Sequence, residues 1–229
     1  MKKKKLAALL MAGAMCFGLL AGCSNSGDKA SGAPASDAGT QESAPGGSQG
    51  SGDAVTIKVG GIGPITGDAA QYGTATQWGA EIAVDEINAL NGPIKLEFKY
   101  EDDTGVADTA VAAYNALKDW AKDAPLVIYG TTTTAPCVAV SAETFNDRYF
   151  QLTPSASSPD VVAGKDNVFQ MCFTDPYLGT AGAEYLNSKG LGTKYGIIYN
   201  NGDPYSTGIA EAFIAKAGEP GMELVATQT

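Results

Sequence analysis

Val55-Thr56-Ile57-Lys58-Val59 alternates apolar and polar residues and runs directly into Gly60-Gly61-Ile62-Gly63-Pro64. A period of two is the signature of a strand, and a glycine-rich turn closed by proline punctuates it. A helix is expected from about Ala70 to Leu90, because Ala75, Gly79, Ile82, Ala83, Ile87 and Leu90 recur near 3.6 spacing. Asn91-Gly92-Pro93 stops it, since glycine accepts left-handed geometry and proline cannot continue a helix. Strand, glycine turn and helix together open an α/β unit.

The same alternation continues downstream. Strands are expected at Ile94–Tyr100, Leu126–Tyr129, Tyr149–Leu152 and Val168–Phe173, with helices at Val106–Lys122 and Ala135–Asp147 between them. After Asp175-Pro176 come helix Leu178–Ser188, strand Tyr195–Tyr199, helix Ser206–Lys216 and strand Glu223–Thr227. Strands alternating with helices of ten or more residues give βαβ units and a mostly parallel sheet with helices on both faces. Residues 55–173 suffice for a nearly complete α/β layer. Residues 177–229 supply only two helices and two strands, which leave much of a sheet uncovered. The expected architecture is therefore an α/β lobe at 55–174, followed at 175–229 by a hinge and part of a second lobe.

Upstream of Val55 the character changes completely. Lys2, Lys3, Lys4 and Lys5 precede an uncharged run from Leu6 to Leu20. That run is short and glycine-rich for a membrane span, which needs ~20 apolar residues, and fits a secretory signal. It ends in Leu20-Ala21-Gly22-Cys23, which resembles a bacterial lipobox. Residues 1–22 are thus read as a signal and Cys23 as the lipidation site, a tether that needs more than one acyl chain to be stable. Residues 24–54 hold seven Gly, seven Ser and six Ala, with no aromatic, Val, Leu, Ile or Met. Such a segment has nothing to bury and reads as a linker, with a span of roughly 30 Å as a random coil.

Charge and composition exclude several classes. The formal charge is −10, and losing the four signal lysines takes it to −14. A nucleic-acid partner is disfavoured, since phosphate contact needs clustered Lys and Arg. The chain has no histidine, which removes the usual general base, the Ser/His and Cys/His pairs and the commonest metal ligand. No enzyme activity, cofactor or metal site is expected. With Cys16 in the signal and Cys23 lipidated, Cys137 and Cys172 remain; outside the cytoplasm they can form a disulfide, or stay as two separate buried thiols. The adjacent acids Asp102-Asp103 point apart on a strand end and read as solvated loop residues rather than a catalytic pair.

Ligands of open parallel sheets bind at the carboxyl ends of the strands, so three loops matter. Gly130-Thr131-Thr132-Thr133-Thr134-Ala135-Pro136 carries a strand end into a helix with proline near its first turn. Free N–H groups, the positive dipole end and threonine hydroxyls there suit a carboxylate; a threonine N-cap with no ligand is the plainer reading, against which four threonines in a row weigh. Thr153-Pro154-Ser155-Ala156-Ser157-Ser158-Pro159 offers close backbone approach and hydroxyls of either polarity; a simple Ser/Pro turn is the plainer reading. The loop from Gly60 to Gly67 lacks the G-x-G-x-x-G dinucleotide fingerprint. Tyr72 beyond it can wall an apolar pocket or simply pack.

Ile57-Lys58-Val59-Gly60, Gly63-Pro64-Ile65-Thr66-Gly67, Gln71-Tyr72-Gly73, Glu86-Ile87-Asn88, Tyr129-Gly130, Thr153-Pro154-Ser155-Ala156 and Phe173-Thr174-Asp175-Pro176-Tyr177, in this order and spacing, resemble the branched-chain amino acid-binding proteins. These are type I periplasmic binding proteins of ABC importers. The resemblance runs from about Val55 to Thr229. It implies two Rossmann-like lobes with parallel sheets, joined by three crossover strands and closing on an amino acid, with the second lobe incomplete here. It implies that Asp175-Pro176-Tyr177 lies at the first crossover. Thr134, with Thr133 as the register alternative, matches the hydroxyl that binds the ligand carboxylate. Ala156 and Ser157 match the loop that serves carboxylate and ammonium, Tyr72 the side-chain pocket, and Tyr205 the tyrosine that closes over the ligand. The family's acidic partner for the ammonium and its last return into the first lobe fall beyond Thr229. The chain is accordingly read as an N-terminal part of a longer protein that binds ligand poorly by itself.

The signal and Cys23 imply a lipoprotein on the outer side of the membrane, in the periplasm or at the cell surface, and the family resemblance implies its task. It would capture Leu, Ile or Val, deliver it to an ABC permease and be monomeric at full length. The alternatives are a binding protein for another small acid, an amide or a peptide-like compound, and an extracytoplasmic ligand sensor.

Overall fold

The computed structural model describes residues 54–218 and 221–229. The signal, Cys16, Cys23 and nearly all of the linker lie outside the described residues.

Five parallel strands form the first sheet: β1 (Val55–Gly63), β2 (Ile94–Asp102), β3 (Leu126–Gly130), β4 (Phe150–Thr153) and β5 (Val168–Gln170). Their order is β2-β1-β3-β4-β5. The α/β reading of the sequence holds, with differences at the ends. β1 does not turn at Gly60; it continues through Gly63, pairing Gly61 with Tyr100 and Gly63 with Asp102. Gly61 is needed within the strand because the Tyr100 ring fills the place of a side chain there. β5 ends at Gln170, and Met171 already leaves the sheet with its N–H on the Thr153 carbonyl at 3.1 Å. A 3-10 turn at Pro159–Val161, capped by the Ser158 side chain, was not expected from sequence.

Helices α2 (Ala107–Ala121) and α3 (Thr134–Asp147) pack on one face of this sheet and on each other. Their core is Ile62, Ala110, Ala113, Tyr114, Leu117, Leu126, Ile128 and Val140. A second cluster joins Cys137, Ala156, Val161 and Val168 under the β4 and β5 end. The Tyr114 hydroxyl reaches out of the core to Asp147 Oδ2 at 2.8 Å, so burying the ring leaves no polar atom unpaired.

Helix α1 (Ala70–Ala89) lies on the opposite face, against β1 and β2. Here the sequence reading needs correction. Ala75, Gly79, Ile82, Ala83, Ile87 and Leu90 are all exposed. The side turned to the sheet is Gly73, Thr76, Ala80, Val84 and Asn88. Two polar anchors explain the rotation. Asn88 Nδ2 donates to the Leu96 carbonyl at 2.9 Å, and its Oδ1 accepts the Leu96 N–H at 2.8 Å. Its amide thus satisfies both backbone groups of one residue on the edge strand β2, as a neighbouring strand would. Thr76 makes the second anchor, to Tyr100 and Thr132. The helix stop is as expected, although Asn91 (φ 49°), not Gly92, takes the left-handed conformation.

Beyond Thr174 come α4 (Asp175–Ser188), β6 (Lys194–Ile198), α5 (Pro204–Ala217) and β7 (Glu223–Gln228). β6 and β7 form a separate two-stranded parallel sheet, and α4 packs on α5. α4 starts at Asp175 rather than Leu178, with proline in its first turn where no N–H is required.

Candidate functional site

β1 lies between β2 and β3, so the connections leaving β1 and β3 run to opposite faces and open a crevice at their carboxyl ends. A cleft of about 750 Å³ occupies this position. The β1 loop and α1 contribute Asp68, Ala69 and Tyr72; the β3 loop and α3 contribute Thr132 to Pro136. The β4 loop adds Pro154, Ser155 and Ser157, the segment after β5 adds Cys172 and Phe173, and the β6–α5 end adds Asn200, Asp203 and Tyr205.

Tyr72 and Tyr205 stand on the two sides of the mouth, 58 % and 45 % exposed, so their rings are available to a ligand rather than consumed in packing. Gly73 permits the placement of Tyr72. A Cβ there would lie 1.8 Å from the Pro64 carbonyl oxygen, so only glycine lets α1 sit this close to the β1 loop.

The four threonines divide into two pairs. Thr131 and Thr132 are structural: Thr131 Oγ1 donates to the Thr133 carbonyl at 2.9 Å. Thr132 Oγ1 bonds Thr76 Oγ1 at 2.9 Å, beside the Tyr100 hydroxyl. The other pair keeps donor capacity. Thr133 Oγ1 is buried without a partner among the described residues. Thr134 Oγ1 accepts the Ser157 N–H at 3.3 Å, which leaves its own proton free. Both stand at the start of α3, where the first-turn N–H groups have no intrahelical carbonyl. This corner of the cleft therefore offers several donors to an anion.

Ser157 is the counterpart. It is 4 % exposed yet lines the cleft, and its Oγ donates to Asp175 Oδ1 at 2.6 Å. Asp175, Asp203 and Asp68 are the site residues that sequence reasoning missed. Asp203 caps α5 by accepting the Ser206 N–H at 3.2 Å, and its place two residues before Tyr205 was the available signal. Among the described residues lining the cleft there are two carboxylates and no Lys or Arg.

Three expectations change. Ala156 is not on the cleft wall: its N–H is donated to Thr153 Oγ1 at 3.0 Å, and its carbonyl accepts from Gln170 Nε2 and the Cys172 thiol. Both of its backbone groups are occupied in holding the loop. Cys137 and Cys172 are free thiols, so the disulfide weighed from sequence is not formed. Cys137 lies wholly inside the α3 core with its pKa pushed up to about 12 by burial, whereas Cys172 hydrogen-bonds Ala156. Asp103 is also not the solvated acid expected; it is fully buried.

The fold has counterparts among known proteins. Residues 56–229 match the family model for periplasmic binding proteins. The chain belongs to the periplasmic binding protein family. It is 32% identical over 169 residues to the Leu/Ile/Val-binding protein homolog 3 of Brucella melitensis, covering 72% of this chain and 45% of that protein. Among solved structures it resembles the branched-chain amino acid transporter substrate-binding protein LivJ of Streptococcus pneumoniae, in complex with isoleucine, with a TM-score of 0.69 and 29% identity. That match covers 76% of this chain and 49% of LivJ. The leucine-binding protein LivK of Thermotoga maritima is similar with a TM-score of 0.68 and 25% identity, over 76% and 49% of the two chains. This periplasmic binding protein thus spans about half the length of the relatives it matches. The family binds solutes and is not enzymatic.

Proposed function

We propose that the chain forms the carboxylate-binding half of an extracytoplasmic solute-binding lipoprotein of an ABC importer, tethered through Cys23. Its ligand is an α-amino acid, with leucine, isoleucine and valine foremost. The observation that carries this reading is the polarity of the cleft. Thr133, Thr134 and the start of α3 offer donors for a carboxylate, while Asp68 and Asp203 supply negative charge and no cationic side chain among the described residues lines the wall. A plain organic anion gains nothing from those acids, whereas a zwitterion meets complementary groups at both ends. Tyr72, Tyr205 and Phe173 give the apolar wall for a side chain. Residues 55–174 act as one lobe and 175–229 as the hinge and the start of the other, closing by hinge motion. Thr133, Thr134 and Ser157 then hold the backbone of the ligand, and the closed form is what a permease recognises.

Titration calorimetry on the protein taken to the full length of its relatives tests this. Saturable heat with leucine, isoleucine or valine is the expected result. Binding of 4-hydroxybenzoate in their place would move the ligand to the aromatic acids and overturn the amino-acid reading. Release of Cys23-anchored protein from membranes by detergent, and its loss from the membrane fraction in Cys23→Ala, tests the tether.

A further inference from the structure

We infer that Asp175 adds to this cleft's selection of an ammonium group: it fixes the Ser157 hydroxyl as an acceptor and sets a buried negative charge behind it. The inference rests on the amino-acid reading above and assigns one determinant of its specificity within this chain.

The argument begins with protons. A serine hydroxyl has one proton to give and two lone pairs to receive with. Ser157 Oγ lies 2.6 Å from Asp175 Oδ1 and donates to it. That proton is committed, so what Ser157 presents to the cleft is lone pairs. Thr134 is held in the opposite sense, because its Oγ1 already accepts the Ser157 N–H and its remaining capacity toward a ligand is to donate. One residue, Ser157, thus connects two hydroxyl sites of opposite polarity: a donor for a carboxylate and an acceptor for an ammonium. An anionic group at the second position would meet lone pairs and a carboxylate and be repelled, and a neutral group with no proton to donate would find no partner there.

Asp175 itself is set up for this role. It is 0 % exposed, and its Oδ2 has no hydrogen-bond partner among the described residues. Its backbone N–H is tied to the Ser157 carbonyl at 3.1 Å, so the two residues are locked as a pair by two bonds. On the far side α5 comes unusually near. A Cβ on Gly208 would stand 3.0 Å from Asp175 Cβ and 3.5 Å from Oδ2, so glycine is what lets the helix bearing Asp203 and Tyr205 close on the carboxylate. Burial, with the Asp203 carboxylate adding to it, raises the Asp175 pKa. A buried anion short of partners gains most from a neighbouring cation. Asp175 acts through Ser157 and is a positioning residue.

The experiment uses three probes on the full-length protein: leucine, its des-amino analogue 4-methylpentanoate, and isopentylamine. The variants are Asp175→Asn, Ser157→Ala, Ser157→Thr and the double variant Asp175→Asn/Ser157→Ala, with thermal melts to establish that each is folded. Asp175→Asn is expected to weaken leucine about ten- to a hundredfold, as for loss of a charge-linked hydrogen bond. Affinity for 4-methylpentanoate should hold or improve. Ser157→Thr, which keeps the hydroxyl, should retain leucine binding. In the Ser157→Ala background, adding Asp175→Asn should cost little more. Equal losses for leucine and 4-methylpentanoate would reduce Asp175 to a structural support and overturn the inference while leaving the amino-acid reading intact. A full additional loss in the double variant would overturn action through Ser157. If the wild-type protein takes 4-methylpentanoate and refuses leucine, the amino-acid reading fails and this inference falls with it.

Discussion

The two faces of the five-stranded sheet are built from the same strands but finished differently. On the face under α2 and α3, inward residues are fully packed: Ile62, Ile128, Gln151, Thr153 and Val168 are at most 2 % exposed. On the face that carries α1, the alternate residues of the same strands stay half open. Phe150 and Phe169 stack at 5.2 Å between ring centroids and remain 44 % and 47 % exposed. α1 itself turns Trp78, Ile82 and Leu90 outward. The adjacent acids at the end of β2 register the contrast most sharply. Asp102 points to the α1 side, where desolvation raises its pKa but hydrogen bonds from the Thr66 hydroxyl and the Ile65 and Thr104 amides prevail and lower it. Asp103 points to the α2 side, where burial pushes it up to about 6, with Asp102 adding to the rise. The lesson is that the site stands on the closed face. Thr131, Thr153, Gln151 and the start of α3 are rigid because that side is packed, while the open side bears mainly the Tyr72 rim.

The comparison can be broken by substitution. Leu117→Ala, in the closed face, is expected to lower stability by about 2–5 kcal/mol, read from chemical denaturation. A loss below about 1 kcal/mol would mean that the closed face is not the stabilising one. Asp103→Asn should act next most strongly, and its sign depends on pH. A carboxyl whose folded pKa is raised contributes stability only while protonated; the contribution is full below about 4 and is lost as pH rises through about 6. The variant should therefore gain roughly 1–3 kcal/mol at pH 7.5 and nothing at pH 4. Asp102→Ala, which frees the Ile65 and Thr66 loop, should cost about 1 kcal/mol near neutral pH. Phe150→Ala, on the open face, should change stability by less than about 1 kcal/mol, since its ring is already nearly half in water.

Element types and order were legible in the sequence because period-two and period-3.6 patterns survive without tertiary context. The strand-end loops were legible as well, and Tyr72, Thr133, Thr134, Ser157 and Tyr205 do come together around one cleft. What was not legible depends on who faces whom. The packed side of α1 is chosen by Asn88 and Thr76 finding backbone and hydroxyl partners on β2 and the β3 loop, which overrides its apolar periodicity. Ala156 is withdrawn because Gln170 and Cys172 claim its carbonyl. Asp175 reads in sequence as part of the crossover ahead of the helix at Leu178, and only the fold puts it behind Ser157.

The strand order β2-β1-β3-β4-β5 has a further consequence for how the molecule comes into being. β2 and β3 each dock on β1, β4 on β3, β5 on β4, and β7 on β6. In the five-stranded sheet every strand after β1 pairs with one already made. A chain that emerges N-terminus first can therefore lay down its sheet one strand at a time, each finding its template already in place, and the five-stranded platform under the cleft is complete before the first residue of α4 appears.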